Sequence, residues 1–201
     1  MSKALTKRQI QAAETKNKIL TKALLLIAKN GYDNTSIQEI CNSAEVSTGA
    51  FYHHFKSKEN IIIESYKQFD VKALEYSTNN LSDKSPLEKI QKIVLFQISY
   101  AKMMSLDTMR QFYRSQLTSG REFFISNQRQ YPKILINYLS EAQLANVLSN
   151  KLTPEEQSRY ILRLARGTIY DWCAHNGTFD MESEITISLD MLLDSMKPDT
   201  P

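Results

Sequence analysis

Between Ser47 and Lys58 the sequence reads Ser-Thr-Gly-Ala-Phe-Tyr-His-His-Phe-Lys-Ser-Lys, a run dense in hydroxyls, imidazoles and ammonium groups. Groups of this kind donate hydrogen bonds to phosphate oxygens and reach base edges in duplex grooves. With Ser47 as an N-cap, the run becomes a short helix. It places Ala50 or Phe51 inward and leaves Thr48, Gly49, Tyr52 and His53 pointing away. An exposed helix N-terminus carrying small and polar residues suits a DNA major groove. Gly49 lets the backbone approach a duplex closely, and Tyr52 offers a ring to a thymine methyl or a hydroxyl to a base edge. Lys58 stands at the start of the next helix, where free backbone amides also favour phosphate. Other chemistries lack their residues. His53 and His54 are adjacent on a helix and face different sides, with no Cys or acid at ligand spacing, so no metal is expected. The sequence has no glycine-rich phosphate loop, no nucleophile elbow and no paired His/Glu zinc motif. Asp171 and His175, four apart without a nucleophile, read as a surface pair. No catalytic residue, no enzyme activity and no cofactor are expected.

The elements that position this run lie just before it. Ser36 and Glu39 have capping-box spacing, so a helix begins near Thr35 or Ser36, with Ile37, Ile40 and Cys41 on its apolar face. Ala44-Glu45-Val46 is the turn between the two helices. Phe51 and Phe55 read as core. From Gly31 to Glu59 the order and spacing of Gly31-Tyr32, Thr35-Ser36-Ile37-Gln38-Glu39-Ile40, Val46-Ser47, Gly49-Ala50-Phe51-Tyr52 and His54-Phe55-Lys56-Ser57-Lys58-Glu59 resemble the DNA-binding signature of the TetR-type family of transcriptional regulators. Farther on, only Gly167 with Asp171-Trp172 and the Gly177-Thr178-Phe179-Asp180 turn echo that family. The resemblance implies an all-α chain: an N-terminal three-helix helix-turn-helix head over 1–58 and a C-terminal helical bundle over 59–201 for ligand binding and dimerisation. It implies base-edge contacts from Thr48, Gly49 and Tyr52. It implies phosphate contacts from Ser47, His53, His54 and Lys58, with Gln38 reaching the backbone from the preceding helix. For Tyr52 and His54, packing within the head is the competing reading. Several members of the family carry a phosphate-binding threonine where this chain has Ile37, so that contact is absent.

Composition agrees with a helical, DNA-facing chain. Among 201 residues, 5 Gly and 5 Pro leave long uninterrupted stretches, and 42% hydrophobic content supports a sizeable core. The first sixty residues hold nine Lys/Arg against five Asp/Glu, and the rest sixteen against seventeen. Basic charge gathered at one end, with Lys3, Lys7, Arg8, Lys16 and Lys18 leading, is the footprint of a phosphate-binding module. Cys41 and Cys173 are too few for a disulfide framework, no apolar run is long enough for a membrane span, and no export segment is legible. A cytoplasmic location is expected.

Helical periodicity predicts a first helix over about 9–30, ended by Asn30-Gly31, and a fourth capped by Ser57 with Ile61, Ile62, Tyr66, Phe69 and Leu74 inward. Pro86 opens a fifth that becomes apolar almost all round. Residues 106–130 look helical, with a break near Thr118-Ser119-Gly120. Tyr131-Pro132 precedes another helix, Thr153-Pro154 starts one running to about His175, and a last one carries Ile185, Leu189, Leu192 and Met196.

Tyr66, Phe69, Phe96, Gln97, Tyr100, Met104, Phe112 and Tyr138 are candidate effector-pocket residues, with Met103, Tyr113, Phe123 and Phe124 beside them. Ser99, Gln116 and Asn127 are further polar anchors. Aromatic and methionine density also suits a plain core. Few acids fall there, which disfavours a pocket for cations. Ile161, Leu164, Ala165, Ile169 and Trp172, then Ile185, Leu189 and Leu192, form two apolar rows expected to build a four-helix homodimer interface, with Gly167 allowing close approach and part of each row packing within the chain itself. The resulting expectation is a homodimeric repressor on a palindromic operator in double-stranded DNA, released by a small, mostly apolar effector that moves the fourth helix. An activator of the same fold, a nonspecific DNA-compacting protein and a small-molecule binder without specific DNA binding are the alternatives.

Overall fold

The structure is a computed structural model that describes residues 6–118, 122, 124, 126 and 128–198. Its described elements are all helices: α1 Lys7–Asn30, α2 Ile37–Ala44, α3 Thr48–His54, α4 Lys58–Asn80, α5 Pro86–Met103, α6 Leu106–Gln116, α7 Gln130–Leu144, α8 Pro154–Ala174 and α9 Met181–Ser195. No described helix is long and apolar enough to cross a membrane.

Most boundaries are set by side-chain caps. Ser36, Ser47, Ser57, Ser85, Ser105 and Thr153 each accept a hydrogen bond from an amide in the first turn of the following helix. This satisfies one of the amides that a helix start leaves open. Pro86 and Pro154 occupy first-turn positions, where a missing N–H is harmless. α1 stops at Gly31, whose φ of 86° puts it in a region that glycine tolerates best. Tyr131-Pro132 does not precede α7 as the sequence suggests; both residues lie in its first turn, where proline fits.

Two apolar clusters result. Ile19, Leu20 and Ala23 of α1, Ile40, Cys41 and Ala44 of α2, Phe51 and Phe55 make one small core with Ile61 of α4. The larger core gathers α4 to α9 and also takes Ile27 from α1 and Ile62 from α4. Both α1 and α4 therefore run through the two cores, and Ile61 and Ile62 point from adjacent positions into different ones. α6 joins the assembly by packing on α1, α4 and α8. On α4 the inward residue is Ala73 rather than Leu74, which is 42% exposed.

Part of each proposed dimer row packs within the chain. Ile161, Ala165, Ile169, Ile185 and Leu189 are buried in the chain's own core, because α8 and α9 pack on each other and on α5. Leu164, Trp172 and Leu192 are only partly covered. The apolar periodicity of these helices records intrachain packing first. Ile161→Ala is expected to destabilise the chain by about 2–5 kcal/mol in a denaturant titration, as for a filled core site. A loss below about 1 kcal/mol would mean that the site is not packed in this way.

Candidate nucleic-acid interface and effector cavity

The helix-turn-helix is held together locally. Glu45 takes a left-handed conformation, φ 53°, and the Val46 amide donates to the Cys41 carbonyl at 3.0 Å, folding α3 back on α2. Phe51 is fully buried and Phe55 likewise, so α3 is anchored by its apolar side. The opposite side brings Gln38, Ser47, Thr48, Gly49, Tyr52 and His53 together at the surface. Gln38 links the two helices: its Nε2 donates to Asn42 Oδ1 at 3.0 Å, and its Oε1 accepts from Thr48 Oγ1 at 3.5 Å. Tyr52 is 54% exposed and touches Phe51 only edge-on, so packing is not its main role. His54 is partly covered, and burial, then His53 and Lys16, hold its pKa below the ordinary imidazole value. At neutral pH it is an N–H donor rather than a cation.

Lys58 differs from the sequence expectation of a freely available phosphate-binding ammonium. Its Nζ donates to the Tyr32 carbonyl at 2.5 Å and to the Thr35 carbonyl at 2.8 Å, and it sits 4.2 Å from the centre of the Tyr32 ring. Only one of its three N–H groups remains for another partner. Lys56, two residues earlier, is the exposed ammonium at this edge. Lys16 and Lys18 are also engaged, with Glu64 at 2.5 Å and Glu45 at 2.6 Å. Lys3 lies outside the described residues.

The same Tyr32 is gripped from the other side. Its amide donates to Asp107 Oδ2, at the N-terminal turn of α6. Asp107 was not legible as functional in the sequence, since an acid in a first helical turn normally serves the helix dipole. Its partner is 75 residues away. The next residues of α6, Thr108, Met109 and Phe112, face a cavity.

That cavity lies among α4, α5, α6 and α8. It measures about 440 Å³, open side included, and is lined by Ser65, Tyr66, Phe69, Gln97, Tyr100, Ala101, Met104, Thr108, Met109, Phe112, Tyr113, Arg166 and Ile169. It is tight: about 20 Å³ admits the centre of a water molecule, which is room for about one water. Tyr66 and Phe112 meet in its wall as a tilted pair with ring centres 4.1 Å apart. Of the eight pocket candidates, six line it. Phe96 and Tyr138 do not. Phe96 lies behind Phe69 and against Tyr76, at 6.0 and 4.5 Å between ring centres, and Tyr138 bonds Ser77 Oγ at 2.5 Å. Met103 is 83% exposed, and Ser99 bonds Glu182 of α9 at 3.1 Å. Tyr113, which the sequence placed only beside the pocket, lines it, and its hydroxyl donates to the Arg166 carbonyl at 2.7 Å. Phe123 and Asn127 lie outside the described residues. Burial raises the pKa values of Tyr100 and Tyr113, keeping both neutral donors. It also pushes the Cys173 thiol up to about 11, which leaves it unreactive.

Among the described residues no group of His, Cys, Asp and Glu is placed to hold a metal. His175 meets Asp171 at 3.3 Å on an exposed helix face.

Gly49 offers a test of groove contact. A methyl there would meet only Ser47 Oγ at 3.8 Å, an ordinary contact. Gly49→Ala is therefore expected to leave the melting temperature of the free protein unchanged or higher while weakening operator binding at least about tenfold, about 1.4 kcal/mol. Unchanged affinity in a fluorescence anisotropy titration would remove Gly49 from the duplex surface.

Residues 19–64 match the family model described as bacterial regulatory proteins, tetR family. The "probable HTH-type transcriptional regulator YttP" of Bacillus subtilis (strain 168) is 33% identical over 90 residues, 43% of this chain and 43% of that protein. The match thus spans less than half of that relative's length. The regulator TcmR of Streptomyces glaucescens is 22% identical over 208 residues, 96% of this chain and 87% of that protein. Among solved structures, FadR of Thermus thermophilus, a TetR-family repressor in complex with lauroyl-CoA, superposes with a TM-score of 0.75. The two share 20% identity over 92% of this chain and 97% of that one, a likeness of fold. The match to the tetR family of bacterial regulatory proteins thus lies over the helix-turn-helix head, residues 19–64, and the chain as a whole shares the fold of a TetR-family repressor.

Proposed function

We propose that the chain is a cytoplasmic, homodimeric repressor that binds a palindromic operator and is released when a small, mostly apolar effector enters the α4–α5–α6–α8 cavity. One observation carries the reading. α6 lines the cavity with Thr108, Met109 and Phe112, and with the neighbouring Asp107 it holds the Tyr32 main chain of the DNA-facing head. The cavity is too full to accept a ligand without moving its walls, so an entering effector displaces α6 against α4. Asp107 and Lys58 then no longer share Tyr32, and the angle of α3 changes. Residues 1–58 supply the reading head and 59–201 the ligand and dimer functions. Gln38, Ser47, Thr48, Gly49, Tyr52 and His53 meet the duplex directly, with His54 and the remaining N–H of Lys58 on phosphate. The complex of FadR with lauroyl-CoA supports a ligand with a long apolar part.

A two-fold dimer lets two short recognition helices read two half-sites. The face available for it lies between α8 and α9, where Gly167 has open space beside it and Ile187 and Met191 are 58% and 70% exposed. Thr168, Asp171, Glu184 and Ser188 complete it. This face replaces the buried residues of the two apolar rows. To turn a 99:1 binding-competent population into 1:99 the effector must favour the released state by about 5.5 kcal/mol. A charge-assisted hydrogen bond lost in each of two subunits, at about 1.5–3 kcal/mol each, is part of what the effector's affinity must overcome.

The test is binding to palindromes from the DNA flanking the chain's own gene, measured beside an unrelated duplex at one ionic strength. A preference of at least about 10³-fold is expected; equal affinity for both duplexes would reject the specific regulator. Met191→Glu is expected to sediment as a monomer and to lose the preference for a palindrome over a half-site. A Met191→Glu protein that remains dimeric would take the interface off this face.

A further inference from the structure

A second opening adjoins the cavity and has a different character. It measures about 820 Å³, open side included, and four arginines line it: Arg129, Arg159, Arg163 and Arg166. Tyr66, Gln97 and Arg166 line both spaces, so the basic mouth adjoins the apolar chamber across these three side chains. Two of the four guanidinium groups are matched by acids. Arg129 makes a bidentate pair with Asp70, at 2.7 and 3.0 Å, and Arg159 reaches Glu156 at 3.5 Å. Arg163 and Arg166 have no carboxylate partner among the described residues. Arg166 is partly buried, and its Nε donates to the Leu162 carbonyl one turn back at 3.0 Å. A half-desolvated guanidinium with no counter-charge is unfavourable unless an anion completes it.

A second, independent group points into the same space. Gln97 is 4% exposed, and its Oε1 has no hydrogen-bond partner among the described residues. A buried acceptor left open costs the folded chain its desolvation, and natural cores tolerate few of these. Gln97 stands where the chamber and the mouth meet.

We infer that this double site takes an amphipathic anion: an apolar chain in the chamber, a carboxylate or phosphate head held by Arg166 with Arg163 and, in ligands that carry one between the two, a hydrogen-bond donor at Gln97. The inference rests on the effector reading above and adds the charge and polarity of the ligand. The guanidinium plane suits bidentate binding of either oxyanion. The spacing 159, 163, 166 puts three arginines on one side of α8, a pattern visible in the sequence but silent until the chamber gives it a tail to accompany.

The experiment is calorimetric titration of the full chain with lauroyl-CoA, dodecanoate, dodecanol and coenzyme A without an acyl chain. Lauroyl-CoA, dodecanoate or both are expected to bind at least tenfold more tightly than dodecanol, and coenzyme A alone only weakly. Whichever of the two anions binds more tightly identifies the head as a phosphate ester or a carboxylate. Arg166→Gln is expected to bring the anionic ligand down to the dodecanol affinity while leaving dodecanol itself unchanged, and Arg166→Lys to keep part of the preference. Equal binding of dodecanol and the anions, or an Arg166→Gln protein with the same melting temperature that weakens all ligands alike, would overturn the assignment. Binding of none of the four would overturn it too. An unaltered preference for the operator duplex in that same preparation would keep the regulator reading standing.

Discussion

The main chain of Tyr32 is gripped from both sides where the small core meets the larger one. The Asp107 carboxylate accepts from its amide, and the Lys58 ammonium donates to its carbonyl while lying over its ring. One grip comes from α6 and the other from the first residue of α4, so the connection over residues 31–36 touches two helices of the body. Thr35 closes the same turn, donating through its hydroxyl to the Gly31 carbonyl at 2.8 Å and offering its own carbonyl to Lys58. Gly31 is favoured there because its φ is positive. Charged hydrogen bonds in a partly covered site are stronger than neutral ones but still break within the free energy of ligand binding. That balance suits a joint that must hold in one state and give in another.

In the proposed mechanism, packing couples a ligand in the chamber to this joint. α6 is short, packs on α1, α4 and α8, and presents Thr108, Met109 and Phe112 to a chamber with room for about one water. An interior at such density does not yield at one place only; a displaced Tyr66 or Phe112 moves the helix that carries it. α4 spans both cores with Ile61 and Ile62, so its movement is felt in the head as well as in the body. Phe51, Phe55 and Ile40 pack the head into one core, and the proposed regulation by tilt moves it as a unit.

How much of this was legible in the sequence depends on how local each cause is. Caps are local: Ser36, Ser47, Ser57 and Thr153 act on amides three residues ahead, and the helix starts they imply match the observed ones. The buried and exposed sides of α3 follow from seven residues and the turn before them. Apolar periodicity is also local, but it cannot say which neighbour covers the stripe. For that reason Ile161, Ala165, Ile169, Ile185 and Leu189 suggested a dimer surface and turned out to be core. Leu74 and Ala73 exchanged roles because a one-residue rotation of α4 decides between them. Lys58, Asp107 and Tyr32 meet across 26 and 75 residues, and no spacing rule reaches that far. Arg166 is the intermediate case. Its basic stripe is readable on α8, but the chamber and Gln97 that give it a purpose come together only in three dimensions.

The most direct measurement is hydrogen–deuterium exchange at the amides of Tyr32 to Thr35, with and without lauroyl-CoA at saturating concentration. The Asp107 grip predicts slow exchange of the Tyr32 amide in the free protein and faster exchange once the chamber is filled, while α5 and α8 become more protected. If the chamber helices gained protection and the Tyr32 turn kept its rate, ligand and head would not communicate through this joint, and the coupling of chamber to head through Tyr32 would be contradicted.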